Sequence, residues 1–213
     1  MTWSLGIDTS YFVATGLARD GEAVDELVVP DTRAHGEALM PAVMRLCERN
    51  HISVSQLDEI VVGMGPGPFT GLRVGIVAAE VLAAAGELSL HRVCSLDVVA
   101  RQWQDAPAEF LVCSDARRRE VYWARYQGGS RIGQPQVSPA AQLPELPIAG
   151  LLPDHVQDRS VAPGAPTQLS AATLAARWRE LPEADAEPFY LRPADATVGG
   201  PPKSALPKPR LRR

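Results

Sequence analysis

The chain of 213 residues has no apolar run of the ~18 residues that a membrane span requires. Its N-terminal stretch carries an acid at Asp8 and no basic leader, so neither a spanning helix nor a signal peptide is expected, and residence in the cytoplasm follows. The three cysteines, Cys47, Cys94 and Cys113, form no C-x-x-C pair and lie among apolar residues, the setting of reduced, buried thiols. None of the four histidines has a partner at the i+4 spacing of a helical zinc site, so no metal is expected. No G-x-S-x-G elbow presents a nucleophilic serine, and Ser95, Ser114 and Ser170 have no readable base.

What is present is an ordinary core and an uneven charge. An apolar share of 46% suffices for a packed interior at this length. The net charge is −4, but Lys203, Lys208, Arg210, Arg212 and Arg213 place five cations and no acid in the last fifteen residues, which leaves −9 on residues 1–198. An acidic body is a poor general surface for nucleic acid. The tail, rich in Pro and Gly, reads as solvated and disordered, with contact to RNA phosphates as its alternative role.

Residues 2–8, 11–19 and 22–29 read as three short strands, the last two joined by Asp20-Gly21, a hairpin signal. Residues 34–49 place Leu39, Val43 and Leu46 on one helical stripe with Met40, Met44 and Cys47 beside it, and Pro41 is expected to kink or break that helix. A strand at 59–64, a helix from 71 to about 86, a strand near 90–95 and a helix near 96–104 follow. This order, a β-meander and then αβα, is not that of a doubly wound sheet. A second, smaller unit begins near Pro107, with strands 109–114 and 120–126 around the charged turn Asp115–Arg119. Fourteen of the nineteen prolines lie beyond residue 130, where only a short strand at 156–161 and a helix at 171–180 are expected. The division is 1–105, 106–195 and a tail at 196–213. No long repeat is visible in the letters, although both halves open on strand-rich segments.

The stretch Gly63–Ala85, GMGPGPFTGLRVGIVAAEVLAAA, joins a β-branched run to a long apolar helix. A strand entering a Gly-rich loop and a helix start can cradle phosphate on backbone N–H groups. Here Gly71-Leu72-Arg73 stands where a Walker loop has Gly-Lys-Ser/Thr, and the spacing G-x-G-x-x-x-G is one residue too long for a dinucleotide fingerprint. Pro66 and Pro68 also remove two donors, so a stiff elbow is the favoured reading. In the helix beyond it only Arg73 and Glu80 are charged, so it is expected to be covered on nearly every side, by the sheet and by the Met-rich face of helix 34–49. Apolar surface left over on these two helices would form a protein–protein interface.

Two further groups are candidates for chemistry. His35, at a helix start, reads as a helix-terminus or interface residue. Asp8-Thr9-Ser10, at the end of the first strand, can orient a metal-bound water or a phosphate, or cap its own turn; the residues alone leave both open.

Six blocks in order, GIDTS (6–10), TRAHGEALMP (32–41), GMGPGPFTGLRVG (63–75), VCSLDVVA (93–100), DARRREVYWARY (115–126) and PFYLRP (188–193), resemble the TsaB family, also called YeaZ, over about residues 4–193. The resemblance implies an α/β fold of the actin-like ATPase type (sugar kinase, Hsp70, actin; RNase H-like) with two α/β subdomains, the second degenerate. It also implies a non-catalytic subunit that pairs with the transferase TsaD, and with the ATPase TsaE, to place threonylcarbamoyl on the adenosine beside the anticodon of tRNA. The metal-binding His-x-x-x-His of TsaD falls on Ser95 and Val99 of this chain, which cannot ligate such a metal. Kinases of this fold use Asp-x-Gly-Thr in the first phosphate turn, and Asp8-Thr9-Ser10 lacks that Gly. The expectations are therefore no catalytic residues, a weak nucleotide-binding turn at Asp8, Thr9 and Ser10, and no tightly held cofactor, with ATP or ADP at most at a partner interface. His35, Met40, Met44, Leu72, Arg73 and Val81 are the expected contacts with a TsaD-like partner or a second copy, and tRNA is met only through the complex. The rival reading is a self-standing ATP-dependent kinase or hydrolase of the same fold.

Overall fold

The computed structural model describes residues 1–30, 35–154 and 156–192. The basic tail and His155 lie outside them. Strands β1 (Trp3–Asp8), β2 (Val13–Arg19) and β3 (Glu22–Val29) form the expected meander. Its second turn is tight because Asp20 and Gly21 take positive φ of 51° and 82°, values that match the twist of a two-residue hairpin. Helix α1 (His35–Arg49) continues through Pro41, which lies on its exposed side, as a single element rather than breaking there. Strand β4 (Glu59–Gly63), helix α2 (Phe69–Gly86), strand β5 (Ser89–Val93) and helix α3 (Ser95–Gln102) complete the first unit. The sheet order is β3-β2-β1-β4-β5, with β4 parallel to β1 and β5 parallel to β4.

The second unit repeats that order on a smaller scale. Strands β6 (Glu109–Asp115), β7 (Glu120–Gln127) and β8 (Ser130–Pro139) form another meander, and β9 (Ile148–Gly150) lies parallel to β6, giving β8-β7-β6-β9. The repeat absent from the letters is present in the topology. Where the first unit has α1 between its third and fourth strands, the second has one 3₁₀ turn, Ala140–Gln142. This is a mixed α/β fold of the actin-like type with a reduced second half. β8 and β9 were not expected from the Pro-rich sequence, and residues 156–161 form a loop rather than the expected strand. The turn between β6 and β7 holds Arg117, Arg118 and Arg119 at φ of 58°, 52° and 64°. The left-handed region costs ~1–2 kcal/mol for each such residue.

Helix α2 departs from expectation twice. It runs 18 residues and is long and apolar enough, on length and composition alone, for a membrane span. In the crossover between the hydrogen-bonded strands β4 and β5 it turns one face, Leu72, Ile76, Ala79 and Ala83, into the core. Nor is it covered on nearly every side, since Val77 and Val81 are 48% and 61% exposed.

Helix α4 (Ala171–Arg177) lies late in the chain yet packs back on β1, β2 and β3 of the first sheet. Its N-cap, Ser170, accepts a bond from the Thr173 N–H and donates one to Glu26 of β3. The Ala-rich helix comes so close that a Cβ on Gly16 would lie 2.1 Å from the Ala172 nitrogen. Gly16→Ala is therefore expected to lower stability by at least about 2 kcal/mol, since backbone cannot yield as a flexible side chain does, in urea unfolding followed by circular dichroism.

Candidate functional site

The first strand ends inside the protein. Asp8 is 2% exposed, and both of its oxygens are occupied. Its Oδ1 accepts from the Ser10 amide (2.8 Å) and the Ser10 hydroxyl (2.6 Å), closing the turn after β1. Its Oδ2 accepts from the Ser95 hydroxyl at 2.5 Å, and that hydroxyl in turn accepts the Gly65 N–H at 3.0 Å. The Ser95 amide donates to the Gly65 carbonyl at 2.8 Å, so elbow and α3 are joined in both directions. A Cβ at Gly63 would lie 1.8 Å from Asp8 Oδ2; only glycine lets β4 pass the carboxylate. Thr9 completes the lock: its hydroxyl donates to the Gly71 carbonyl at 2.8 Å and accepts the Gly75 N–H at 3.1 Å, in the first turns of α2.

Burial raises the pKa of Asp8, while the bonds from Ser10 and Ser95 oppose that rise in part. Of the three residues expected to touch a nucleotide, Asp8 and Thr9 thus spend their polar groups on the protein itself, and Ser10 directs its hydroxyl to Asp8. Ser95, which the sequence offers only as a serine without a base and a position without a metal-ligating side chain, is the hub of this network.

Beside Asp8, between the two units, lies a cavity of about 50 Å³ walled by Phe12, Val28, Leu96, Val99, Leu151 and Leu169. Pockets that hold small molecules run to roughly 300–1,000 Å³. Burial pushes the thiols of Cys94 and Cys113 up to about 12, so neither is a nucleophile near neutral pH. Among the described residues no three metal-ligating side chains come together.

The remaining predicted site residues divide. Met40, Met44 and Val81 are exposed on α1 and α2, and Arg73 lines the open groove between these helices, about 750 Å³, along with Phe69 and Val77. Arg73 is held against the Phe69 ring, 5.3 Å from its centroid. Leu72 does not belong with them: it is fully buried and packs in the core with Ile60, Val62 and Met64. The helical period turns its face toward the sheet while Arg73 and Val81 face out. His35 reaches the Tyr11 carbonyl with Nε2 at 3.1 Å, tying the start of α1 to the turn after β1.

Two buried polar clusters had no signal in the sequence because their members are far apart in it. Glu59 accepts from Ser4 (2.5 Å), Trp178 (3.1 Å) and Arg179 (2.8 Å), and His91 stacks on Trp178 at 3.5 Å. Burial works against ionising Glu59, but those bonds together hold its pKa below the usual carboxylate range. Asp97 accepts from Tyr126 (2.6 Å) and Arg131 (2.9 Å), fastening α3 to the second sheet. Both clusters join units of the fold, and Ser4 and Arg179 of the first also line an open groove of about 500 Å³ together with Asp20, Glu22 and Glu180.

Comparison with known proteins bears on what this arrangement serves. The sequence model of the family described as TsaD, tRNA N6-adenosine threonylcarbamoyltransferase, matches residues 28–175. An uncharacterized protein of Mycobacterium tuberculosis (strain ATCC 25618 / H37Rv) is 40% identical over 200 residues, covering 90% of this chain and 92% of that one. The tRNA threonylcarbamoyladenosine biosynthesis protein TsaB of Bacillus subtilis (strain 168) is 33% identical over 124 residues, 58% of this chain and 54% of its own length. The solved structure of YeaZ from Pseudomonas aeruginosa superposes with a TM-score of 0.68 at 28% identity, covering 90% of this chain and all of that one.

Removing the Asp8 carboxylate leaves the Ser95 and Ser10 hydroxyls and the Ser10 N–H short of an acceptor. Asp8→Ala is expected to cost at least about 2 kcal/mol in urea unfolding. The pH dependence has a definite sign. With its folded pKa raised, Asp8 contributes stability that is fully present below its unfolded pKa of about 3.9 and is lost as pH rises through the folded value. The stability of the wild type relative to Asp8→Asn should therefore fall as pH is raised from about 4, in urea titrations between pH 3.5 and 7.

Proposed function

This chain belongs to the TsaB (YeaZ) family, within the wider family of the TsaD threonylcarbamoyltransferase, and from that premise we propose that it is a non-catalytic subunit that supports a TsaD-like transferase in making threonylcarbamoyladenosine in tRNA. A part in that synthesis accords with the names of its relatives. The observation that carries the finer reading is the apolar groove between α1 and α2, lined by Met40, Val77 and Val81 at 37%, 48% and 61% exposure, with Met44 of α1 a further 49% exposed outside it. Four large aliphatic or thioether side chains in contact with water along two neighbouring helices are costly unless a partner covers them. Met side chains also fit themselves to another helical surface with little strain. A TsaD-like transferase is the proposed occupant, and a TsaE-like ATPase joins the assembled pair.

The non-catalytic half of the proposal is supported by the Asp8 turn. A kinase or hydrolase needs its first-strand acid free to orient magnesium or water, and Asp8 is bonded to Ser10 and Ser95 and shut from solvent. Ser95 and Val99, at the positions matching the transferase's metal ligands, supply no imidazole. In this role the elbow works as architecture: it fixes the start of α2, and with it the floor of the groove.

Reconstitution of tRNA modification with and without the chain tests the proposal. Loss of product on omission is expected, and full activity without the chain, with no complex on size exclusion, would contradict it. Because Val77 and Val81 are exposed, Val77→Arg and Val81→Arg should fold normally yet weaken association with the transferase by about 100-fold or more in calorimetry. Leu72→Arg, at a site with no solvent contact, should fail to fold at all.

A further inference from the structure

The turn between β6 and β7 places three arginines in succession, Arg117, Arg118 and Arg119, all exposed and all in the left-handed region. Glycine or asparagine is the ordinary occupant of such backbone, and a strained conformation filled by three cations runs against folding preference. The local structure holds it there. The Arg117 N–H is accepted by Asp115 Oδ1 at 2.7 Å, the Glu120 N–H by the Arg117 carbonyl at 3.0 Å, and Arg192 donates to the Ala116 carbonyl at 2.9 Å while pairing with Glu120. The acids nearby are thus at the base of the turn: Asp115 is engaged with backbone and Glu120 with Arg192, while the arginines form its apex. Asp154 is the third acid of this neighbourhood.

The turn stands at the edge of the inter-unit cleft. Ser114, next to Asp115 at the base of the turn, lines the cavity beside Asp8 together with Tyr11, whose hydroxyl feels the charges of Asp115, Arg117 and Asp154. Tyr11 is half-buried and packs edge to face on Phe12, with ring centroids 4.5 Å apart. The result is a cationic apex flanked by an aromatic pair, on a body whose residues 1–198 carry −9. That body repels polyanions in general, so a polyanion that does bind must do so at a local concentration of cations.

We infer that the Arg117–Arg119 turn, with Tyr11 beside it, is a docking tip for the phosphate backbone of RNA. Guanidinium groups suit this task because their forked donors match two phosphate oxygens at once. Such contacts position an RNA without reading its sequence. The inference rests on the proposed part in tRNA modification, and it supplies what that proposal lacks, a place on this subunit that meets the substrate directly rather than only through its partner.

Gly substitution separates the charge from the fold. In Arg117→Gly/Arg119→Gly two cations are removed at positive-φ positions that glycine occupies without strain, so thermal unfolding should stay the same or move upward. The assembled complex of full-length chain and TsaD-like transferase is titrated with an unmodified tRNA transcript at several salt concentrations. The expected result is a loss of at least tenfold in affinity and a salt slope lower by about 1.5, with Arg117→Lys/Arg119→Lys retaining most of both. Wild-type affinity and slope in the Gly variant would overturn the inference. So would loss of the complex itself with tRNA binding intact, which would assign the tip to a protein partner, and loss of RNA binding only on deleting residues 199–213, which would assign it to the tail. Failure of the functional reading looks different: modification then proceeds without the chain, whatever the tip does.

Discussion

A carboxylate with almost no access to water, Asp8, is held between the hydroxyls of Ser10 and Ser95, and the three-dimensional arrangement depends on that contact. It joins three segments that the chain visits at residues 8, 65 and 95: the end of β1, the elbow before α2 and the first turn of α3. Burying an acid is unfavourable unless donors meet it, and here donors come from the turn and from Ser95, so the segments are specified together or not at all. Gly63 is the corollary on β4, because any side chain there would occupy the space of the carboxylate.

From this constraint the division of labour follows. The acid at the end of the first strand is turned inward, with its oxygens bonded to Ser10 and Ser95. What remains beside it is a cavity of about 50 Å³, while the large concave surface lies on the outside, between α1 and α2. The elbow that resembles a phosphate loop makes its bonds through Thr9 to the start of α2 and so sets the position of Arg73, Val77 and Val81 along the groove. The second unit repeats the strand order of the first with fewer helices, and α4 returns from it to close over Gly16.

Much of this was legible in the residues, and where it was not the reason is physical. Local signals served well: Asp20-Gly21 marked the hairpin, the β-branched run before Gly63 marked β4, and the spacing of Leu39, Val43 and Leu46 marked α1. Pro41 misled, since a proline on the exposed side of a long amphipathic helix need not break it. β8 and β9 were hidden because Pro135 and Pro139 mask a strand whose pairing with β7 is set by tertiary contact. Leu72 was expected among the partner contacts with Arg73, but one position on a helix is a rotation of 100°, which turns it into the core. Asp8 was recognised as the carboxylate of interest, but its partner Ser95 lies 87 residues away and hydroxyls carry no periodic signature. For the same reason the Glu59–Trp178–Arg179 cluster could be found only in three dimensions.

The central claim is that the acid of the first strand serves structure and not phosphate chemistry. Titration calorimetry of the isolated chain with ATP and magnesium tests it most directly. No saturable heat is expected at millimolar nucleotide, with the Asp8 network intact by thermal unfolding. Tight binding in the wild type, lost in a folded Asp8→Asn variant, would contradict the account.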